Sequence, residues 1–269
     1  MTLTVLIDNR TASFAFFEKE ENAPQFVFRI AARPARTSDE YAALLYGMPK
    51  RPTAQELQRA IIASVVPPLT AEIIKAIHLL YPDAVCLTVG AGLRTGLTLR
   101  TDAPAELGAD LVAMAAGAVS LKNSPCLVLN CGDVITLSAI GRGKDAPEYL
   151  GCAILPGAAL SVQALKEQAA LLSTVALTVP PHSIGKNTGD SVRSGVLLGL
   201  AAAIERLISD FEAEMKAQAL PLVVTGDEAE PLLSLLSAPY LFEKDLAHKG
   251  LHHLALLNEK KSGNPPKRV

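Results

Sequence analysis

The sequence predicts an α/β protein of two similar lobes, each a mixed sheet with helices. Two observations lead there. A strand–polar turn–strand–strand unit followed by helices occurs twice along the chain, and the apolar content is 49% with no Trp and only 4% aromatic residues. A core built from Ala, Leu, Val and Ile suits helices laid on a sheet, and 269 residues suffice for two lobes of roughly 100–150 residues each. The boundaries expected are an N-terminal lobe over 1–122, a C-terminal lobe over 123–258, and a polar, Pro-rich, disordered tail over 259–269.

Each element follows from local pattern. Apolar runs at 3–7, 13–17 and 25–31 read as strands, with the polar turn Asp8-Asn9-Arg10-Thr11 between the first two. Helical periods follow at 39–46, at 54–59 after a Thr53 cap, and at 71–80 after a Thr70 cap. The short β-branched runs 61–66 and 84–89 suit buried strands, and 106–121 is a long Ala-rich helix. The second unit has strands at 126–129, 134–140 and 149–155, with Asn130-Cys131-Gly132-Asp133 as its polar turn. Helices are expected at 160–172, 191–216 and 228–237, with a strand at 222–224 between the last two.

Charge and composition exclude several classes. A formal charge of −2 and no Lys/Arg-rich run before the tail give no electrostatic case for nucleic acid. The longest apolar run, 196–204, is about half of what a bilayer span needs. Residues 1–8 read as a strand, not a signal segment, so a cytoplasmic protein is expected. Cys86, Cys126, Cys131 and Cys152 lack CxxC spacing and read as small buried hydrophobes. His248, His252 and His253 on the last helix read as a surface or dimer-side cluster, without HExxH spacing.

A duplication of this kind makes a cleft between two lobes, each presenting its first hairpin turn, where backbone N–H groups can cradle phosphate. That is the architecture of the actin, hexokinase and acetate-kinase superfamily, with its ribonuclease H-like lobes. Short segments in a fixed order sharpen the resemblance. Ser64-Val65-Val66-Pro67, Gly92-Leu93-Arg94-Thr95-Gly96 and Pro104-Ala105-Glu106-Leu107-Gly108-Ala109-Asp110 come first. The segment 127–136, Gly151 to Gly157, Ile184-Gly185-Lys186-Asn187-Thr188 with Gly195, Val224-Thr225-Gly226, and 246–251 complete the series. Taken together they resemble the type III pantothenate kinase family over residues 3–258.

The resemblance implies a homodimer that transfers the γ-phosphate of ATP to the primary hydroxyl of pantothenate, with Mg²⁺ and a monovalent cation such as K⁺. It assigns Asp110 as general base. It assigns Asp8, Asn9, Arg10, Thr11, Gly132, Asp133, Thr136, Thr225 and Gly226 to nucleotide, and Gly96, Gly108, Leu111, Gly157 and Thr188 to substrate. Asp8 and Asn130 take the positions of metal-linked residues. Read alone, Asp110 is a helix-start carboxylate favoured by the dipole and Asp8 an ordinary turn residue.

The departures from the family pattern gather at these positions. Arg10 stands for the Gly of the first turn, Asn130 for the Asp of the second, Asp133 for a Thr, and Asp227 for a Gly. Leu111 replaces the Arg that meets the pantothenate carboxylate in the family, and Met114 replaces an Asn. Losing a buried charge-assisted pair costs on the order of 2–5 kcal/mol. Three readings are open: a divergent pantothenate kinase, a catalytically inactive paralogue acting as a binding or regulatory subunit in a heteromer, and a kinase for a different small alcohol.

Overall fold

The computed structural model describes residues 1–168 and 175–259. Contacts divide the chain into two units, one of Met1–Leu97, Asp102–Ser120 and the chain from Asp245, the other of Thr98–Thr101 and Leu121–Lys244. The last helix therefore belongs with the first unit and not with the residues preceding it.

In the first unit β1 (Thr2–Ile7) is central. It pairs antiparallel with β2 (Thr11–Phe17), which pairs with β3 (Phe26–Ala31). On its other side β1 runs parallel to β4 (Arg59–Ser64), which runs parallel to β5 (Val85–Thr88). Helices α1 (Ser38–Tyr46) and α2 (Pro67–Leu80) cover one face. There Leu3, Val5, Phe14, Phe16 and Ile62 meet Tyr41, Leu45, Ile73 and Ile77. Each such side chain contributes about 1.5–3 kcal/mol by leaving water. The capping box of Thr37 and Glu40 starts α1.

The other face carries α3 (Ala109–Lys122) and α8 (Leu246–Leu257), whose Val112, Ala113, Ala116, Leu251 and Leu254 pack with Ile61 and Ala63. Helix α3 is buried continuously from Val112 to Ala118, a stretch in which five of the seven residues are Ala or Gly. The reason is its crossing with α8. A Cβ on Gly117 would lie 2.5 Å from the Leu246 carbonyl oxygen, and one on Gly250 would run into the Ala113 carbonyl. The two backbones touch.

His248 and His252 lie within this packing and not on the surface, which corrects the expectation for them. His248 Nδ1 is 2.8 Å from Thr4 Oγ1 and Nε2 is 3.0 Å from Ser13 Oγ. Thr4 Oγ1 donates to the Ala15 carbonyl at 3.2 Å, a closer approach than that of Ser13 Oγ to the Leu6 carbonyl at 3.4 Å, so we assign the His248 proton to Nδ1. His252 stacks on Phe17 with ring centroids 4.6 Å apart.

The second unit is a six-stranded sheet. β7 (Cys126–Cys131), β8 (Val134–Gly141) and β9 (Glu148–Pro156) form an antiparallel meander, with a bulge at Ala139/Ile140. β10 (Leu222–Thr225) and β11 (Tyr240–Phe242) extend it in parallel beyond β7, and the two-residue β6 (Thr98–Leu99) closes the far edge. One face packs Leu127, Leu129, Leu137 and Val224 on α6 (Gly199–Glu214) through Leu200, Ile204 and Ile208.

Several expectations shift. Residues 54–56 form a turn and 59 begins β4, because Thr53 binds Glu56 in a capping pair that no helix continues. Helix α2 begins at Pro67, and Thr70 Oγ1 bonds back to the Val66 carbonyl instead of capping. The helix expected over 191–216 is α5 (Thr188–Arg193), a π-helical turn (Ser194–Leu198) and α6 in succession. That expected over 228–237 is only α7 (Glu230–Leu233), and α4 spans Ala158–Gln168. The rest of the 160–172 expectation and residues 260–269 of the expected tail lie outside the described residues. Glu259 is not loose: it pairs with Lys19 at 3.1 Å and Arg59 at 3.0 Å.

Two outcomes follow. Gly250→Ala must push α8 off α3, and a loss of about 1–3 kcal/mol is expected in urea unfolding; an unchanged midpoint would contradict the crossing. The His248 imidazole is pushed down to about 3 by burial, with Arg29 adding to the effect. The folded state then binds fewer protons than the unfolded one below the ordinary value of 6.5. Stability is full above 6.5 and falls as pH drops, at up to about 1.4 kcal/mol per pH unit. His248→Gln is expected to flatten the stability–pH slope between about pH 6.5 and 5.

Candidate active site

The first turn is organised by the carboxylate that ends β1. Asp8 Oδ1 accepts from the backbone N–H of Arg10 (2.7 Å) and of Thr11 (2.6 Å), and Oδ2 accepts from Thr11 Oγ1 (2.8 Å). The Asp8 N–H closes the hairpin on the Thr11 carbonyl at 2.9 Å. This is an Asx-type turn, in which a short acceptor substitutes for backbone pairing. Its consequence is chemical: two N–H groups that could face phosphate already face Asp8. Asn9 and Arg10 are exposed.

Asp110 stands in the first turn of α3. Burial raises its carboxyl above the ordinary carboxylate value, the N–H groups of Leu111 and of Asp110 itself oppose this, and the nearby Asp8 carboxylate adds to the rise. Asp8 and Asp110 are thus brought together in the first unit. Gly108 makes room for the arrangement, since a Cβ there would collide with Asp110 Oδ1. Leu111 is half-buried beside it, and Met114 is buried. Gly96, at φ +68°, lies in the loop before β6 against Leu257 of α8.

In the second unit three assigned residues share one row. Thr225 of β10 is opposite Asn130 of β7, which is opposite Thr136 of β8. Side chains so paired project from the same face. Thr136 is buried and its Oγ1 has no hydrogen-bond partner among the described residues. The turn Gly132-Asp133 is braced by two glycines. Gly157 donates to the Asp133 carbonyl at 2.7 Å, and a Cβ on it would strike the Gly132 carbonyl. Gly226, at φ +109°, lies against the backbone of Cys131, and the Glu228 N–H donates to the Cys131 carbonyl at 3.0 Å. Thr188 opens α5 after the Asn187 cap and lines an apolar groove of about 1010 Å³ with Pro156, Leu160, Leu165, Val192 and Gly195.

Metal capacity is limited but present. Among the described residues no group of three or more His, Cys, Asp or Glu could hold an ion. A carboxylate has about four acceptor positions, so Asp8 keeps one after its three hydrogen bonds. That suits Mg²⁺ held by one protein oxygen and completed by water and phosphate. The Asn130 carboxamide and the orphan Thr136 hydroxyl are neutral oxygen donors, which fit a monovalent cation. Burial pushes the Cys126 thiol to about 11 and that of Cys131 to about 12, with Glu228 contributing at Cys131, so both stay protonated.

The model of the family described as type III pantothenate kinase matches residues 2–210. The chain belongs to the type III pantothenate kinase family. A relative carrying that name in Dehalococcoides mccartyi is 33% identical over 96% of each chain. Among solved structures, a conserved Baf-family protein from Campylobacter jejuni has a TM-score of 0.59 at 19% identity, covering 95% of this chain and 98% of that one. A glucokinase from an Antarctic psychrotroph has a TM-score of 0.50 at 13% identity, covering 96% and 99%. These likenesses establish the actin-like, two-lobed α/β fold. Sequence reasoning missed the last residue of the last helical turn, Asn258, whose carboxamide bonds the peptide of Arg94. An Asn at a helix end reads as a cap, so no signal marked its reach.

A raised folded pKa means that ionised Asp110 opposes folding: its contribution is present below the ordinary value and lost as pH rises through the raised one. Asp110→Asn is expected to raise the melting temperature at pH 7, by about 2–4 °C per kcal/mol relieved. A melting temperature unchanged or lower would remove the strain argued for this carboxylate.

Proposed function

We propose that this chain phosphorylates pantothenate to 4′-phosphopantothenate at the expense of ATP. The observation that carries the reading is Asp110, a half-buried carboxylate of raised pKa near Asp8, at the family's base position in a chain of that family. Asp110 takes the proton of the primary hydroxyl as its oxygen attacks the γ-phosphorus, and ADP leaves. A base shifted towards neutral pH is better matched to this transfer than an ordinary carboxylate. Asp8 would hold Mg²⁺, which neutralises charge on the phosphates, and Asn130 with Thr136 would hold K⁺. Gly132, Asp133, Thr225 and Gly226 form the second phosphate turn, and Gly96, Gly108, Leu111, Gly157 and Thr188 take the substrate side.

The assembly proposed is a homodimer in the cytoplasm. Gly195 and Gly199 have no atom within 4 Å of an added Cβ, unlike the filled Gly117 and Gly250, and they border the apolar groove. A second copy of the chain suits that surface. Among the described residues no helix is long and apolar enough to cross a membrane.

One observation favours the second reading, a catalytically inactive paralogue that serves as a regulatory subunit. The first turn has its N–H groups taken by Asp8, and the second carries Asp133 where phosphate would arrive. Calorimetric titration with ATP·Mg²⁺ and then pantothenate, with K⁺ present, followed by a turnover assay, separates the two. Phosphopantothenate formation supports the kinase, and absence of all binding supports the inactive subunit. Leu111→Arg is expected to tighten pantothenate at least tenfold by restoring a charge-assisted pair. A wild type that binds pantothenate no better or worse than Leu111→Arg would leave the position without a role in affinity.

A further inference from the structure

Residues 90–97, between β5 and β6, have the composition of a mobile loop: three glycines, two at positive φ (Gly92 +87°, Gly96 +68°). The loop is nevertheless fastened along its length. Leu93 and Leu97 sink into the cluster that also holds Leu107, Ala109 and Val112, the residues around Gly108 and Asp110. Thr95 Oγ1 donates to the Leu97 carbonyl (3.1 Å) and accepts from the Leu97 N–H (3.2 Å). A Cβ on Gly96 would be 3.2 Å from Leu257 Cδ2.

The strongest fastening is Asn258. Its Oδ1 accepts from the Arg94 N–H at 3.1 Å, while its Nδ2 donates to the Arg94 carbonyl at 2.7 Å and to the Leu254 carbonyl at 2.8 Å. One side chain thus grips both polar groups of a residue 164 positions away. The grip is anchored in turn, because the Arg59 guanidinium donates to the Ala255 carbonyl (3.3 Å) and to Glu259 (3.0 Å).

What this clamp presents is the Arg94 side chain. It is exposed and has no hydrogen-bond or ion-pair partner among the described residues. A guanidinium on a fixed peptide loses less freedom on meeting an anion, and its planar fork matches carboxylate and phosphate oxygens. Leu111, which follows Asp110, brings no cation to this end of α3.

We infer that Asn258 is a positioning residue that fixes the 90–97 loop beside the start of α3, and that Arg94 on this loop binds an anionic oxygen of the ligand. The anion is the acceptor's carboxylate or a nucleotide phosphate, and naming these two rests on the kinase reading.

Hydrogen exchange on the substrate-free protein tests the clamp by itself. Asn258→Ala, or the milder Asn258→Asp that keeps only the acceptor, is expected to speed exchange of the 90–97 amides about tenfold or more, while strands β1 and β4 stay protected. Unchanged loop exchange overturns the clamp whatever the substrate is. Steady-state kinetics then read the anion. Arg94→Gln is expected to raise one KM about tenfold at little changed kcat, with Arg94→Lys recovering part of it and Asn258→Ala moving the same KM. If the carboxylate is the partner, pantothenate KM rises and that of its primary-amide analogue does not; if phosphate is, ATP KM rises. Neither KM moving overturns the role of Arg94. Should wild type neither bind nor convert pantothenate, the kinase reading falls. Pyrophosphate titration then decides Arg94, since equal affinity in wild type and Arg94→Gln removes the contact.

Discussion

The approach of two helix backbones at Gly117 and Gly250 governs the first unit. Helix α3 is covered on every side from Val112 to Ala118, and its small side chains leave the crossing distance to be set by main chain against main chain. Asp110 is at the start of that same helix. Burial at that position raises its carboxyl above the ordinary value, and the nearby Asp8 carboxylate adds to the rise. Small residues here serve contact and not flexibility.

The two hairpin turns solve a similar problem differently. The first is stabilised from inside, by an aspartate that collects the turn's own donors. The second is stabilised from outside, by Gly157 at the end of β9 and Gly226 at the end of β10, each tight against its backbone. An internally satisfied turn has fewer free donors to give a ligand; an externally braced one keeps its shape without them. Arg10 is accommodated in the first turn because the Asx-type bonds of Asp8 shape it.

Much of this was legible in the sequence. Alternation and β-branching located β1 to β4 and β7 to β10 to within a few residues, since buried strands have few other ways to be written. Of the residues that the ordered short segments mark, the fold brings Asp8 near Asp110 and aligns Thr225, Asn130 and Thr136. What escaped was set by distant partners. β6 and β11 are two and three residues long and exist only as edges on strands already formed. His248 reads as a surface residue on its own helix and becomes buried only because Thr4 and Ser13, more than two hundred positions away, accept and donate to its ring. The membership of α8 in the first unit is likewise invisible locally, because nothing in its amphipathic pattern says which sheet it covers.

That membership has a temporal consequence. The face of β1 and β4 that α8 covers is made early in synthesis, whereas α8 follows the whole 121–244 segment. At about 5–20 residues per second the gap is roughly 6–25 s. During that interval Thr4, Ser13 and Phe17 lack the side chains of His248 and His252 that pack on them in the finished chain. The first unit of this protein therefore completes that face only when its last helix emerges.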